Sequence, residues 1–322
     1  MRAFHSDRFE LALPAGHRFP MAKYRLLHQR VAAHASAWGI EVCEAPRASD
    51  EDVLRVHARE YMERVRDGTL SASEQRKIGF PWTPAMAERT RRVSGATMAA
   101  LRGALEGEGV AVNLAGGTHH AGHAAGAGYC VFNDSVIAAR YAQHLGLARR
   151  ILIVDLDVHQ GNGTANLCAD DPTIYTFSMH GARNYPAVKA RSDLDLELRD
   201  GIEDAEYLDL LQRHLPYVQH QARADAVIYL AGADPYAGDR LGFLKLSKPG
   251  LRERDRMVLD FCATHGLPLA ISMAGGYAER VEDIVDIHAA TVEEAARCAR
   301  SWQPRKPAST FACVAAAISA RD

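Results

Sequence analysis

The chain has 322 residues, 48% hydrophobic and 24% charged, and its 38 basic and 40 acidic residues leave a formal net charge of −2. This is ordinary soluble globular composition, with enough chain for one large core, and the balanced charge removes any electrostatic case for nucleic acid or a membrane surface as partner. The six cysteines, Cys43, Cys130, Cys168, Cys262, Cys298 and Cys313, contain no C-x-x-C pair, so buried reduced thiols are expected rather than a disulfide framework.

The opening MRAFHSDRFE is charged and lacks an apolar signal region. No run approaches the ~18 apolar residues of a membrane span, so a cytoplasmic location is the default expectation. In chain order, residues 2–5 read as a short strand, 13–20 as a loop, 21–37 as a helix and 39–44 as a strand. Residues 50–66 are helical in pattern with a break near His57. Residues 70–84 carry Gly79, Pro81 and Pro84 beside Phe80 and Trp82, which predicts a loop forming a rim over a pocket. A long helix is expected over 85–106, ending at Gly107. Strands at 110–114, 151–157, 173–178, 226–231 and 269–273 then alternate with helices at 134–145, 164–169, 203–222, 248–265 and 281–300, and 311–320 reads as a terminal packed helix. The alternation, without internal repeats, predicts an α/β fold: one domain over residues 1–322 with a central, mostly parallel sheet covered by helices on both faces.

The chemistry gathers where the strands stop. Ile151-Leu152-Ile153-Val154 is a continuous apolar run and reads as a buried parallel strand. Asp155, Asp157 and His159 follow at a spacing of two, which in extended chain points all three to one side. The other strands end in Gly116-Gly117-Thr118-His119-His120, Ser178-Met179-His180-Gly181, Gly232-Ala233-Asp234 and Gly275-Gly276-Tyr277. In a parallel sheet these ends meet at one edge, the edge where such sheets bind ligands.

Asp157, His159 and Asp234 offer one nitrogen and two carboxylates, the donor set of a catalytic Zn²⁺ with an open position, compatible also with Fe²⁺ or Co²⁺. Such a metal lowers the pKa of bound water and polarises a carbonyl. His119 and His120 supply a base and a charge-stabilising partner, Asp155 can orient one imidazole, and the Tyr277 hydroxyl can donate to an oxyanion. Ser178 can help hold a monovalent cation or cap its strand.

The blocks GGTHHAGHAAGAGYCVFND (116–134), VDLDVHQGNGT (154–164), AGADPYAGDRLG (231–242) and AGGY (274–277) resemble the signature blocks of the zinc-dependent histone deacetylase family, of arginase/deacetylase fold. GHRFPMAKYRLL (16–27) and TFSMHGARNYP (176–186) are most similar to its class IV-like and bacterial members. The resemblance implies Asp157, His159 and Asp234 as zinc ligands, His120 as general base and acid, and His119 as electrostatic partner. It also implies Tyr277 as the transition-state tyrosine, and Asp155 with Ser178 as holders of a structural K⁺. Asn162 stands behind His120 where some members carry Asp, which predicts a lower imidazole pKa. Gly128, Tyr129 and Tyr185 fall on the channel that grips an acyl-lysine, and Leu241 sits near its mouth. The family's rim Asp has no evident counterpart: residues 70–84 offer only Glu74.

The implied reaction is hydrolysis of an acyl-lysine in a protein or peptide, acetyl or longer. The first alternative is a small acylated amine such as an acetylpolyamine, which Arg240 and Leu241 at the mouth disfavour. A two-Mn²⁺ ureohydrolase would need a further Asp-rich motif that the chain lacks. A non-catalytic acyl-lysine binder would have no use for an intact triad, histidine pair and tyrosine. The sequence carries no signal for oligomeric state.

Overall fold

The computed structural model describes residues 1–303, so the terminal helix read at 311–320 lies outside the described residues. Eight strands form one sheet: β1 (Arg2–His5), β2 (Glu41–Glu44), β3 (Val110–Asn113), β4 (Ile151–Asp155), β5 (Ile174–Gly181), β6 (Leu194–Leu198), β7 (Ala226–Leu230) and β8 (Leu269–Ser272). Their spatial order is β2-β1-β3-β8-β7-β4-β5-β6, and every pairing is parallel. The helices are α1 (Ala22–Trp38), α2 (Asp50–Leu54), α3 (Arg59–Asp67), α4 (Ala72–Ile78), α5 (Pro84–Gly103), α6 (Asp134–His144), α7 (Asn162–Cys168), α8 (Asp204–Ala222), α9 (Lys248–His265) and α10 (Val281–Arg300).

The continuous apolar runs have the physical reason anticipated for a sheet covered on both sides. Leu152 and Val154 of β4 and Val227 and Tyr229 of β7 pack into one core with Leu27, Leu211, Val258 and Ile284, from α1, α8, α9 and α10. Ile151, Ile153, Ala226 and Ile228 point the other way, into a second core with Val53, Met62, Leu101 and Ile137 of α2, α3, α5 and α6. Among the described residues, no helix is long and apolar enough to cross a membrane.

Three element expectations need correction. Residues 70–84 are not all loop. Ser71 and Glu74 form a reciprocal capping box, and Gly79 in the left-handed region closes α4, so the Gly and Pro residues mark the end of a short helix and the loop after it. β6 was not expected, because LDLEL interleaves acids with leucines, as suits an edge strand with one solvated side. The long helix stops being α-helical at Gly103, and a wider turn over Ala104–Glu108 follows, with Gly107 at φ 127°.

β3, β8, β7 and β4 are contiguous in the sheet. The loops leaving their C-terminal ends carry the GGTHH, AGGY, GAD and DVH residues, so four segments far apart in sequence share one edge.

Candidate active site

Asp157, His159 and Asp234 lie at the floor of a channel at this edge, and one donor atom from each falls within 4.8 Å of the others. Asp157 and Asp234 are almost wholly buried. Backbone N–H groups hold one oxygen of each carboxylate: Gly275 donates to Asp157 Oδ2 at 2.7 Å and Val158 to Asp234 Oδ1 at 2.9 Å. The remaining oxygens turn to His159, whose Nδ1 is 3.0 Å from Asp157 Oδ1 and 3.2 Å from Asp234 Oδ2. Asp234 Oδ2 is buried without a hydrogen-bond partner. Burial, followed by repulsion from Asp157, pushes the Asp234 carboxyl up to about 7. Burial would lower His159, but Asp157 and Asp234 overcome it and raise the imidazole to about 10. Two converging buried carboxylates and an orphaned oxygen are costly unless a cation satisfies them. The donor set therefore fits a divalent metal, which would replace the His159 proton on binding. Gly275 has no side chain because a Cβ there would run into Asp234 Oδ2.

The histidine pair sits beside this cluster, its ring centroids 4.1 Å apart. His119 Nδ1 donates to Asp155 Oδ2 at 2.6 Å, and His120 Nδ1 donates to the Asn162 side-chain oxygen at 2.7 Å. The two imidazoles diverge electrostatically. Burial would lower His119, but Asp155 and Asp157 raise it to about 9. Burial, then the neighbouring His119 and His159, push His120 well below its ordinary value. The surroundings thus favour the neutral form of His120, whose Nδ1 bond to Asn162 leaves Nε2 bare, and the cationic form of His119 beside Asp155. Tyr277 faces His159 at 6.1 Å between ring centroids. Burial, then Asp157 and Asp234, raise its phenol well above 10, so it stays a donor.

Above the floor the channel narrows between aromatic walls. Tyr185 stands edge-on to His120 at 4.8 Å, and Tyr129 lies 5.8 Å from Tyr277. Gly128 (φ 54°) sits where a Cβ would come within 2.5 Å of the His120 ring. The cavity has a volume of about 260 Å³, and Leu241 closes part of its mouth.

The histone deacetylase domain profile matches residues 17–292. The chain belongs to the histone deacetylase family. This family member is 45% identical to an uncharacterized protein of a Picosynechococcus strain, over 88% of the chain and 94% of that protein. It is 32% identical to histone deacetylase 2 of Arabidopsis thaliana, over 73% of the chain and 63% of that protein. Histone deacetylase clr6 of Schizosaccharomyces pombe is 29% identical over 82% of the chain and 70% of that protein. The crystal structure of the HDA15 HD domain superposes with a TM-score of 0.77, covering 92% of this chain and 90% of that one at 21% identity, a match of fold. The fold is therefore that of the arginase/deacetylase superfamily.

Within this deacetylase fold, one detail departs from the sequence reading. β4 ends at Asp155, so Asp157 and His159 do not converge by strand alternation. The chain bends after Asp155; the Asp157 N–H turns back to Asp155 Oδ1 at 3.1 Å, and the His159 N–H to Asp157 Oδ1 at 2.9 Å. Asp155 therefore faces His119, while Asp157 and His159 turn toward Asp234. Glu74 is no rim acid, because its carboxylate caps α4 and pairs with Arg64. Asp155 and Ser178 are register partners; Asp155 accepts from His119 and the Asp157 N–H, and Ser178 Oγ lies 2.9 Å from His180 Nδ1.

Several supporting residues escaped the sequence reading. Asp239 accepts backbone N–H groups from Tyr277 at 2.6 Å, Leu241 at 2.8 Å and Gly242 at 2.9 Å, tying the tyrosine loop to the mouth. Buried Lys23 donates to the carbonyls of Ala274 and Gly276 on either side of the AGGY turn. Asp134 holds the GGTHH turn through the Gly117 and Thr118 N–H groups. The signal available for Asp239 and Asp134 is an acid close to a Gly-rich stretch. Lys23 gave none, since lysine on an amphipathic helix reads as solvated.

Proposed function

We propose that this protein is a Zn²⁺-dependent amidohydrolase that removes acyl groups, acetyl or longer, from lysine side chains. The observation that carries the reading is the Asp157–His159–Asp234 cluster at the floor of an aromatic channel, with a neutral and a cationic histidine on one side and a protonated tyrosine on the other. Family membership supports deacetylase chemistry independently. A Zn²⁺ held by those three side chains would polarise the scissile carbonyl and acidify the attacking water; Fe²⁺ or Co²⁺ suits the same donors.

The protein's own groups divide the remaining work. Tyr129, Tyr185 and the Gly128 backbone hold the lysine methylenes and exclude water. His120 Nε2 takes a proton from the attacking water, and Asn162 fixes the ring tautomer that leaves that nitrogen bare. His119, kept cationic by Asp155, lowers the cost of the negative charge that builds on the carbonyl oxygen. The Tyr277 hydroxyl donates to that oxygen. The proton on His120 then passes to the departing amine, leaving lysine and a carboxylate. The K⁺ implied for Asp155 and Ser178 takes no part in these steps.

The test is turnover on a panel of acyl-lysine peptides, acetyl through myristoyl, before and after chelation and after Zn²⁺ is restored. Cleavage that chelator removes and Zn²⁺ restores is expected. A folded, metal-loaded protein that cleaves none of them overturns the reading.

A further inference from the structure

The channel walls are aromatic, but its mouth is basic. Two cavities, of about 280 and 260 Å³, open beside Leu241. Arg18 and Arg240 line the first, and Arg76 and Lys77 line the second. All four side chains are exposed. Among the described residues lining these cavities there is no carboxylate. Of the acids around the mouth, Glu74 is committed to Arg64 and the α4 cap and Asp239 to backbone N–H groups, and exposed Glu279 lines neither cavity.

The cations are positioned, not loosely displayed. Arg240 Nε donates to the Tyr277 carbonyl at 2.9 Å, and its Nη2 donates to the Arg18 carbonyl at 3.2 Å. α4 is docked through its last turn: Gly128 and Tyr129 donate their N–H groups to the carbonyls of Lys77 and Ile78, at 3.0 and 2.7 Å. Arg76 and Lys77 are thus fixed to the same Gly128–Tyr129 segment that walls the channel. The Tyr129 phenol lies within the field of the opposite side: burial raises it, and Arg18 and Arg240 partly offset that rise.

An acyl-lysine threaded to the floor brings its flanking residues to this ring. Four positive charges with no ion-pair partner among the described residues attract acidic groups there and repel basic ones, and such charge matching sorts partners even where each exposed pair contributes little. We propose that the substrate is an acyl-lysine flanked by aspartate or glutamate, and that Arg18, Arg76, Lys77 and Arg240 select it. The inference rests on the amidohydrolase reading and sharpens it. It disfavours polycationic amines and lysines set in basic segments.

The experiment uses three peptides with one central acetyl-lysine and with Asp/Glu, Ser/Ala or Lys/Arg flanks, assayed on the Zn²⁺-loaded full chain. The expected ratio of kcat/KM, acidic over basic, is roughly tenfold or more at low salt and shrinks toward unity near molar salt. Arg76→Glu with Lys77→Glu should invert the order. Arg18→Glu, on the opposite side of the mouth and outside α4, should weaken it independently should the first variant fold poorly. Equal kcat/KM for all three peptides, or a ranking untouched by salt and by both variants, overturns the inference and leaves the amidohydrolase standing. Cleavage of none of the three, nor of the same three peptides carrying longer acyl groups, overturns both.

Discussion

The floor and the mouth of this channel lie close together and follow opposite rules. At the floor, Asp157, Asp234, His119 and His120 are buried, and each ionisable group has a named neighbour that sets its charge. At the mouth, Arg18, Arg76, Lys77 and Arg240 are exposed, and solvent screens them. The contrast follows from the dielectric. A charge separation of a few Å is strong inside and weak outside, so bond-breaking chemistry belongs at the floor, and selection among similar substrates can be left to the mouth. The floor is also tied to the strand ends by carboxylate-to-backbone bonds, whereas the mouth rides on a short helix and two loops.

The sharpest way to break this contrast is at the floor. Asp234→Asn removes one of two converging carboxylates and should reduce turnover by roughly three orders of magnitude or more, because the proposed metal would lose both a ligand and a counter-charge. The same change should raise the melting temperature of chelated protein at pH 8. With the wild-type carboxyl held up to about 7, the native state is most favoured below the ordinary value of 3.8 and loses that favour as pH rises through 7, a loss the amide does not suffer. A variant that loses both activity and chelated-state stability would mean that Asp234 is a structural acid. Tyr277→Phe comes next. Deleting one oxyanion donor should lower kcat by roughly 10²–10³-fold with little change in KM. A loss confined to KM would place Tyr277 among the channel walls instead.

The floor was far more legible in the sequence than the mouth. Buried strands announce themselves as apolar runs, and the clusters that stop β3, β4, β7 and β8 could be read as one edge once the strands were taken as parallel. What could not be read is how each side chain is aimed. Asp155 and Asp157 face different partners because the chain bends after β4, and an alternation rule has no term for that bend. The mouth was harder still. Arg76 and Lys77 look like ordinary solvated positions, and only the docking of α4 onto Gly128 and Tyr129 brings them to the channel. The capping box that creates α4 was visible as Ser71 and Glu74, but Gly79, Pro81 and Pro84 outweighed it.

Beneath the floor, pH offers a smaller effect with a defined sign. His57 donates from Nδ1 to the Gly122 carbonyl at 2.9 Å and accepts the Asn133 N–H at Nε2, also at 2.9 Å, so it fits only as the neutral ring. Burial depresses both His57 and His180 from 6.5 to about 4. Their contribution is present above pH 6.5 and is lost as pH falls toward 4, with a slope of about 1.4 kcal/mol per pH unit for each histidine where only the unfolded form is charged. Urea unfolding from pH 7.5 down to 4.5 measures it, and His57→Gln should flatten the slope. The comparison with His57→Gln decides it, because the raised Asp234 carboxyl contributes with the opposite sign between pH 3.8 and 7: a variant slope equal to that of the wild type would mean that this ring protonates without cost in the native state.

The smallest effect separates the mouth from the floor most cleanly. α4 has seven residues, too few to be stable alone. Its order rests on the Ser71–Glu74 box at one end and on the bonds from Gly128 and Tyr129 at the other. Ser71→Ala removes the cap and should cost about 1 kcal/mol. Because α4 contributes no atom to the floor, that cost should appear as faster amide exchange over residues 72–78 and a weaker preference for acidic flanks, while turnover of the neutral-flanked peptide is retained. A fall of tenfold or more on the neutral peptide would show that loosening α4 disturbs the Gly128–Tyr129 wall, and with it His120, so that the two regions are mechanically one. The Gly128 contact with the His120 ring is the route by which that coupling would travel.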